Sequence, residues 1–399
     1  MSRVAKPSAC QIAFNSSKGL RTNIPQLRKV STVSYSSLGC LRSQNESLVC
    51  RLVGRVAKPS ACQTAFNSIK ELRANIPQLR RVSTISCSSL DCLRSQWDIV
   101  CSSMQRFGAV LISAPVKNKD LSIDKTAQLF GSLQGHGKCD QSGVMSVTCG
   151  AKYSGRTRKN IHFDGPFFPH TDGAYLDGAA YDQRIGCMRR VTPPKVIGLR
   201  AIETPKKGGE TILVDGQLIL KELILTRSAL LPNLLRGDGN TFFHGPIMCV
   251  NLPFFRQQST GLFQMRYSYD QEFHYPMELV STYNSFHKKY VEASQFRLEI
   301  KLEPGDTLFI DNHRMLHGRN DVQGNRLYQR VWVSQDPIPL TYPESQSIHY
   351  DAQQDTFSCT QPYSKYLPLP SSISPSPSQF NPGITLNPQE QADLTQLLI

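Results

Sequence analysis

Two His-x-Asp pairs lie eight residues apart in the segment IHFDGPFFPHTDGAY (161–175), at His162/Asp164 and at His170/Asp172. Residues two apart on a β-strand project from the same face, so each pair delivers one imidazole and one carboxylate to a single point. A second histidine from a distant strand completes two His and one carboxylate on one face of an octahedron. That set suits non-haem Fe(II) and leaves positions open for substrate and oxygen. The spacing alone does not say which pair binds a metal.

A third ligand and two arginines follow in the second half of the chain. The segment PGDTLFIDNHRMLHGRN (304–320) places His317 after a predicted strand, and the segment NRLYQRVWV comes soon afterwards. One face of the strand that this second segment predicts holds two guanidiniums and two aromatic rings: Arg326, Tyr328, Arg330 and Trp332. Arginine binds carboxylates through paired hydrogen bonds, so this face is typical of a cavity that holds carboxylates. The alternative is a solvent-exposed face whose arginines pair with local acids.

Four motifs, PHTDGAY, GGETILVDG, PGDTLFIDNHRMLHGR and NRLYQR, occur in that order over about residues 97–340. The ordered set resembles the TauD/TfdA family of Fe(II)/2-oxoglutarate-dependent dioxygenases, which includes γ-butyrobetaine-hydroxylase-like and clavaminate-synthase-like enzymes. The resemblance implies a mostly β fold with flanking helices and a double-stranded β-helix (jelly-roll, cupin-like) core. It also implies Fe(II) as the metal, with 2-oxoglutarate and O2 as cosubstrates.

The resemblance makes His170, Asp172 and His317 the iron ligands. HTDGAY has a threonine between the ligands, followed by a glycine and an aromatic residue, as the family pattern requires. The earlier pair, in HFDGPF, runs instead into Pro166 and Pro169, which interrupt strand pairing. We therefore expect the earlier pair in a turn at the mouth of the cavity, with direct substrate contact as the alternative.

The same resemblance assigns residues to the cosubstrate and to the substrate. Thr211 and Arg326 are expected to bind the distal carboxylate of 2-oxoglutarate. Arg330 is expected to face the substrate or the near end of the cosubstrate. Tyr175 is a candidate substrate contact, and a packing role is an equal alternative.

Other histidines and a basic loop are also candidates. His313 would share a strand face with His317, but it falls at a strand-end turn where the family shows no fixed ligand. His244 has no partner at ligand spacing and is expected to be structural. The segment 176–195 carries four basic residues that predict either a lid for an acidic substrate or a solvated loop: Arg184, Arg189, Arg190 and Lys195.

The implied reaction is oxidation of an unactivated C–H bond of a small molecule, with release of succinate and CO2. The substrate class is an amino-acid-like compound or a specialised metabolite, and the outcome is hydroxylation, desaturation or oxidative cyclisation. Asp172 disfavours halogenation, because related halogenases lack this carboxylate. The alternatives are a peptide or protein hydroxylase on the same fold and a non-catalytic jelly-roll binding protein. The sequence carries no signal of an oligomeric state.

Short apolar and alternating segments predict the elements that position these residues. Strands are predicted over 107–116, 196–203 and 210–216, and helices over 217–231 and 281–295. Two further strand candidates, FRLEIKLEPGDTLFIDN and RLYQRVWVSQ, carry the downstream motifs. Many short strands with few helices favour a sandwich or barrel of antiparallel sheet.

The N-terminal part of the chain contains a direct repeat. Residues 3–44 recur as residues 55–96, and the two copies differ at eight of 42 positions. Two copies are too few for a solenoid. We therefore predict four parts: a duplicated extension (1–54) that is transit-peptide-like or disordered, a partly helical second copy (55–96), the dioxygenase domain (97–345), and a Pro/Ser-rich tail (346–399) that ends in a short helix.

Charge and cysteine usage bear on the expected partners, location and disulfide content of the protein. Residues 1–102 hold 15 Lys/Arg against four acids, whereas the rest of the chain is nearly balanced. No aromatic-interleaved basic patch accompanies this charge, so nucleic acid is not an expected partner. The first 45 residues contain no Asp or Glu, which predicts mitochondrial import, with a cytoplasmic protein as the alternative. No apolar run is long enough to span a membrane, and the twelve Cys form no Cys-x-x-Cys pair, so reduced structural thiols are expected.

Overall fold

The computed structural model describes the following residues: 82–134, 139–150, 165–177, 180–182, 187–189, 192–244, 247–269, 273–334, 348–351, 353–354, 356–359, 366–367 and 380–398. All of them belong to the second of the two units into which the chain divides, Met1–Phe66 and Asn67–Ile399. The whole first copy of the N-terminal repeat therefore lies outside the described residues.

Strands make up most of the regular structure in these ranges. In chain order they are β1 (Ser83–Ser86), β2 (Ala109–Ser113), β3 (Ser132–Leu133), β4 (Met145–Cys149), β5 (Phe167–His170), β6 (Ala180–Asp182), β7 (Cys187–Arg189), β8 (Val196–Glu203), β9 (Lys207–Gly208), β10 (Thr211–Asp215), β11 (Thr241–His244), β12 (Ile247–Val250), β13 (Phe255–Gln257), β14 (Phe263–Met265), β15 (Phe273–His274), β16 (Arg297–Ile300), β17 (Thr307–Asp311), β18 (Met315–Arg319), β19 (Val322–Gln323), β20 (Arg326–Ser334), β21 (Ile348–Asp351), β22 (Thr356–Cys359) and β23 (Tyr366–Leu367). The α-helices are α1 (Leu90–Ser95), α2 (Trp97–Phe107), α3 (Ile123–Ala127), α4 (Gly216–Leu225), α5 (Leu231–Arg236), α6 (Val280–Phe286) and α7 (Pro388–Leu398).

Two sheets form the core. The larger has the order β1-β2-β17-β8-β20-β3, with β4 also paired to β20, and the smaller has the order β16-β10-β18-β5. Every pairing in them is antiparallel except that of β1 with β2. Apart from β1 and β2, the neighbouring strands of these sheets are not consecutive in the chain, as expected for a jelly roll rather than a simple meander. The mostly β fold predicted from the sequence is confirmed.

The inner faces of the two sheets meet at the His-Thr-Asp segment, which begins at the last residue of β5. Arg330 and Trp332 project from β20 of the larger sheet, and both bind the carboxylate of Asp172 beside the smaller sheet. Strands β10, β17 and β18 are buried along their whole length. Strands buried on both faces read as continuous apolar runs, which is why TILVD and TLFID show no polar alternation.

Helix α4 begins at a well-defined point because Asp215 caps it. The Asp215 side chain accepts a hydrogen bond from the Gln217 N–H at 2.9 Å. The buried Arg314 guanidinium binds the same carboxylate with Nε at 2.9 Å and Nη2 at 2.6 Å. Because Arg314 lies between β17 and β18, this pair fixes α4 against the strand turn that precedes His317.

The folded unit extends beyond the predicted dioxygenase boundaries at both ends. Strand β1 pairs in register with β2, so residues before the predicted start at 97 belong to the larger sheet. Near the C-terminus, Ile384 is fully buried and forms a bridge with Phe263, and Leu394 of α7 is also buried. The predicted terminal helix is confirmed, and the structure packs it on the domain rather than leaving it in a free tail.

The predicted helices differ in length from the observed ones. The segment 217–231 divides into α4 and the start of α5, and the segment 281–295 gives α6 followed by a π-helical turn, His287–Val291. Within the described ranges, no helix combines the length and the apolar character that crossing a membrane requires.

Candidate metal centre

The register of the smaller sheet brings the two histidines together. His317 on β18 is paired with His170 on β5 on one side and with Leu213 of β10 on the other. Gly318 allows the close approach of β5, because a Cβ atom there would lie 2.6 Å from the Phe167 carbonyl oxygen. The His-Gly-Arg motif therefore combines a ligand with the one residue type that admits the neighbouring ligand strand.

Hydrogen bonds hold the threonine and the aspartate of His-Thr-Asp in place. Thr171 exchanges hydrogen bonds with the backbone of Tyr267, since its N–H donates to the Tyr267 carbonyl and its hydroxyl accepts the Tyr267 N–H. The side chain of Asn312 accepts the Asp172 N–H at 2.8 Å and donates to the Asp172 carbonyl at 2.9 Å. Asn312 is fully buried, and it holds Asp172 in place as a complementary amide would.

His170, Asp172 and His317 form a compact cluster whose ligand atoms all lie within 4.8 Å of one another. The Nε2 atom of His170 is 3.3 Å from Oδ1 of Asp172, and Nε2 of His317 is 3.8 Å from Oδ2. Two ligands at right angles around one ion, with bonds of about 2.1 Å, are about 3 Å apart. The cluster therefore fits a metal ion after movements of less than about an ångström.

The protonation of the cluster also suits a cation. The Nδ1 atom of His170 lies 3.0 Å from the Phe168 carbonyl, to which it donates, so Nε2 carries the lone pair. Burial, together with His170, lowers the pKa of His317 to about 3, so this imidazole is neutral at physiological pH. Burial alone would raise the pKa of Asp172, but Arg330 and the two histidines outweigh it and hold that pKa well below its usual range. His317 and Asp172 thus present a neutral imidazole and a carboxylate to the cluster.

Two residues of β20 hold the Asp172 carboxylate. The Arg330 Nη1 atom lies 3.1 Å from Oδ1 and 3.1 Å from Oδ2, and the Trp332 indole N–H donates to Oδ2 at 2.7 Å. The alternation along β20 predicts that Arg330 and Trp332 share one face of the strand, but it does not identify Asp172 as their partner. Arg330 is thus found on the ligand carboxylate, whereas its predicted contact with substrate stays a prediction.

Buried polar side chains also lie at the start of β10 and at the start of β20. The Thr211 hydroxyl and the Nε and Nη1 atoms of Arg326 are buried without a hydrogen-bond partner. The Arg326 guanidinium carbon lies 3.5 Å from the centre of the Tyr328 ring. Buried polar atoms without partners are costly, so atoms like these indicate a site for an anionic group.

Arg319 is a residue that sequence analysis did not single out for a role. It is buried, and it lies directly opposite Thr211 in the β10–β18 ladder, so the two side chains project from the same face. The available signal was its position two residues after His317, which places both on one face of a strand.

Tyr175 and His313, two other candidate residues, lie outside the cluster of His170, Asp172 and His317. The Tyr175 ring stacks on His244 with centroids 4.7 Å apart, which supports the packing alternative for Tyr175. His313 is buried and bound through both nitrogens, to the Gln258 amide and the Pro193 carbonyl, each at 3.2 Å. Its expected absence from the ligand set agrees with the geometry.

Several predicted residues cannot be placed in the structure. His162, Asp164, Arg184 and Arg190 lie outside the described residues, and for Arg189 only the strand is described. Lys195, the last residue of the predicted basic loop, is half-buried. Burial lowers its pKa to about 8, and the nearby Asp311 opposes that shift.

Comparison with known proteins identifies a family. A sequence model described as "Taurine catabolism dioxygenase TauD, TfdA family" matches residues 70–332. Trimethyllysine dioxygenase, mitochondrial, from Gallus gallus is 28% identical over 150 residues, which cover 33% of this chain and 35% of that protein. The same enzyme from Mus musculus is 29% identical, with 33% and 34% covered. The matched part of the chain spans about a third of the length of these curated relatives.

Several solved structures also match this chain. PvcB from Pseudomonas aeruginosa matches with a TM-score of 0.46 and 16% identity, covering 63% of this chain and 86% of that one. An asparagine oxygenase in complex with Fe(II), 3-hydroxyasparagine and succinate matches with a TM-score of 0.45 and 12% identity, covering 70% and 93%. The family model matches more than half of this chain, from before β1 to within β20. This chain therefore belongs to the TauD/TfdA family, dioxygenases that use Fe(II), 2-oxoglutarate and O2.

Proposed function

We propose that this chain is an Fe(II)- and 2-oxoglutarate-dependent oxygenase whose iron is held by His170, Asp172 and His317. The observation that carries the proposal is the convergence of two imidazoles and one carboxylate within 4.8 Å. This donor set favours a divalent iron and occupies only one face of it. Asp172 and His317 already have the protonation states that metal binding needs near neutral pH.

Thr211 and Arg326 are the proposed site for the distal carboxylate of 2-oxoglutarate. Their buried hydroxyl and guanidinium atoms without hydrogen-bond partners support this role. A carboxylate placed there would satisfy an O–H donor and N–H donors together, and charge-assisted bonds of this kind are the stronger class. Arg319, opposite Thr211 on the same face, adds positive charge to this end of the cavity.

The residues of the site divide the remaining work. When bound, iron supplies the redox chemistry that couples decarboxylation of 2-oxoglutarate to oxidation of a C–H bond. Asp172 supplies the negative charge that offsets part of the metal charge. Arg330 and Trp332 hold both of its oxygens, so the carboxylate has one orientation. The near-complete burial of Asp172 and His317 limits access of water to the ligands.

The proposed substrate is a small, amino-acid-like molecule, and the proposed product arises by hydroxylation, desaturation or cyclisation. The curated relatives support this class, since they are named for trimethyllysine, an amino-acid derivative. A succinate-release screen with trimethyllysine and a set of free amino acids tests it. Release with none of these, but with peptides, would favour the protein-hydroxylase alternative.

We propose a mitochondrial location for the protein. The acid-free N-terminal segment supports it, as do the names of the curated relatives. Fusion of residues 1–54 to a fluorescent protein tests it, since import requires that the fusion co-localise with a mitochondrial marker. A diffuse cytoplasmic signal would contradict the proposal.

Anaerobic spectroscopy tests the metal assignment directly. Fe(II) and 2-oxoglutarate added to the wild-type protein should give a weak visible metal-to-ligand charge-transfer band, and Asp172→Ala should lose it. Asp120→Ala, which removes an exposed carboxylate, is the matched control and should keep the band. Absence of the band in the wild type, or its full retention in Asp172→Ala, would overturn the assignment.

A further inference from the structure

Two cysteines meet at the junction between β1 and α1, on the outer strand of the larger sheet. Cys87 follows β1 directly, is buried, and continues the ladder through its N–H, which donates to the Ser113 carbonyl at 3.2 Å. Cys92 lies in α1 and is half-buried. The Ser89 hydroxyl accepts the Cys92 N–H at 3.1 Å and fixes the start of the helix.

The two sulfur atoms converge on a single amide group. The Gln96 Nε2 atom lies 3.5 Å from Sγ of Cys87 and 3.3 Å from Sγ of Cys92. Each thiol also shifts the pKa of the other, as expected for neighbouring sulfur atoms. The strand before Cys87 and the helix that contains Cys92 hold the two backbones in place.

The surroundings of the two thiols differ in a way that suits a two-step oxidation. A hydrogen bond from the Ser88 backbone, followed by that from the Cys87 thiol, lowers the pKa of Cys92. Burial raises the pKa of Cys87 to about 11. An accessible thiol of lowered pKa beside a second, protonated thiol is the arrangement in which peroxide-sensitive cysteines are found.

We propose that Cys87 and Cys92 form a reversible dithiol–disulfide site that is oxidised by hydroperoxides. The Cys92 thiolate attacks the peroxide O–O bond, which forms a sulfenic acid and releases water or an alcohol. The Cys87 sulfur then attacks the Cys92 sulfur, which forms the disulfide and releases water. In total the two thiols lose two electrons and two protons, and the peroxide takes them up.

Both cysteines of the pair lie in the second copy of the repeat, and the first copy does not reproduce the pair. The first copy of the repeat has Tyr35 where the second has Cys87, whereas Cys40 corresponds to Cys92. Only the second copy therefore carries both thiols. The site is separate from the proposed iron ligands, so its test does not depend on turnover.

Mass spectrometry of the full-length protein tests the proposal. Arg81 and Arg94 bound a tryptic peptide, VSTISCSSLDCLR, that contains both cysteines. After brief exposure to a few equivalents of hydrogen peroxide and then iodoacetamide, this peptide should be two hydrogens lighter and unalkylated. Dithiothreitol before the alkylation should restore two alkylation sites.

Variants and an internal control separate the proposal from general thiol oxidation. Cys87→Ser should leave Cys92 as a sulfenic acid that dimedone traps, and Cys92→Ser should abolish oxidation at residue 87. Cys101 lies on α2, and burial is the main reason why its pKa is raised. Its thiol should therefore react with iodoacetamide about tenfold more slowly than that of Cys92 at pH 7. Equal rates for Cys92 and Cys101 in the wild type, or no internal disulfide, would overturn the proposal.

Discussion

Replacing Trp332 by phenylalanine tests how the metal carboxylate is held. The change keeps an aromatic ring but removes the indole N–H that donates to Oδ2 of Asp172 at 2.7 Å. A hydrogen bond to a charged group contributes about 1.5 to 3 kcal/mol. With a tenfold change for each 1.4 kcal/mol or so, the metal affinity should fall about 10- to 100-fold, which is the range seen for residues that orient metal ligands.

The measurement is anaerobic calorimetric titration with Fe(II), supported by titration with Co(II), whose visible spectrum reports the ligand geometry. Trp97→Phe is the matched control, because the sequence contains only two tryptophans and Trp97 packs on Phe130. Its affinity should equal that of the wild type. A folded Trp332→Phe protein with an affinity within threefold of the wild type would refute the idea that this indole orients Asp172.

Three further predictions concern the cosubstrate site, the strand contact and the acid response. Arg326→Gln should weaken 2-oxoglutarate binding about 10- to 100-fold, as measured from the charge-transfer band, while Fe(II) affinity is unchanged; unaltered 2-oxoglutarate affinity would contradict the assignment. Gly318→Ala should destabilise the protein by about 1 to 3 kcal/mol and lower its Tm, because its Cβ meets the Phe167 carbonyl oxygen; an unchanged Tm would mean that the strands adjust freely. Burial lowers the pKa of His313 from 6.5 to about 3, so the unfolded state takes up this proton first as the pH falls below about 6.5. Wild-type stability should therefore fall faster than that of His313→Gln, by about 1 kcal/mol per pH unit in urea titrations between pH 6.5 and 5, and parallel curves would contradict this.

Much of the site follows from local sequence, because ligand pairs and strand faces depend on short spacing. The His-x-Asp pair and the alternation along β20 both follow the two-residue period of a strand. The structure brings His170 and Asp172 together with His317, which lies much later in the sequence. Which groups pair across the core is a different matter. Spacing places Trp332 on the inner face, but only the packing of two sheets shows that its partner is Asp172.

The same reasoning applies to the start of the folded domain. The predicted boundary at residue 97 follows the end of the repeat, although the second copy contains strand β1. Its place in the sheet comes from pairing with β2, which is a long-range property. Similarly, helix periodicity over 281–295 does not show the change to a π-helical turn after Phe286, which tertiary packing decides.

The proposed metal ligands come from two parts of the chain about 145 residues apart, on β5 and its following turn and on β18. An unfolded chain does not hold three such side chains at one point, so the binding free energy of the ion adds to the free energy of folding. Free metal at about a hundred times its Kd contributes about 2.7 kcal/mol by mass action. A cell that withholds iron thus lowers the population of folded protein as well as its activity, and iron supply can set how much of this protein survives proteolysis.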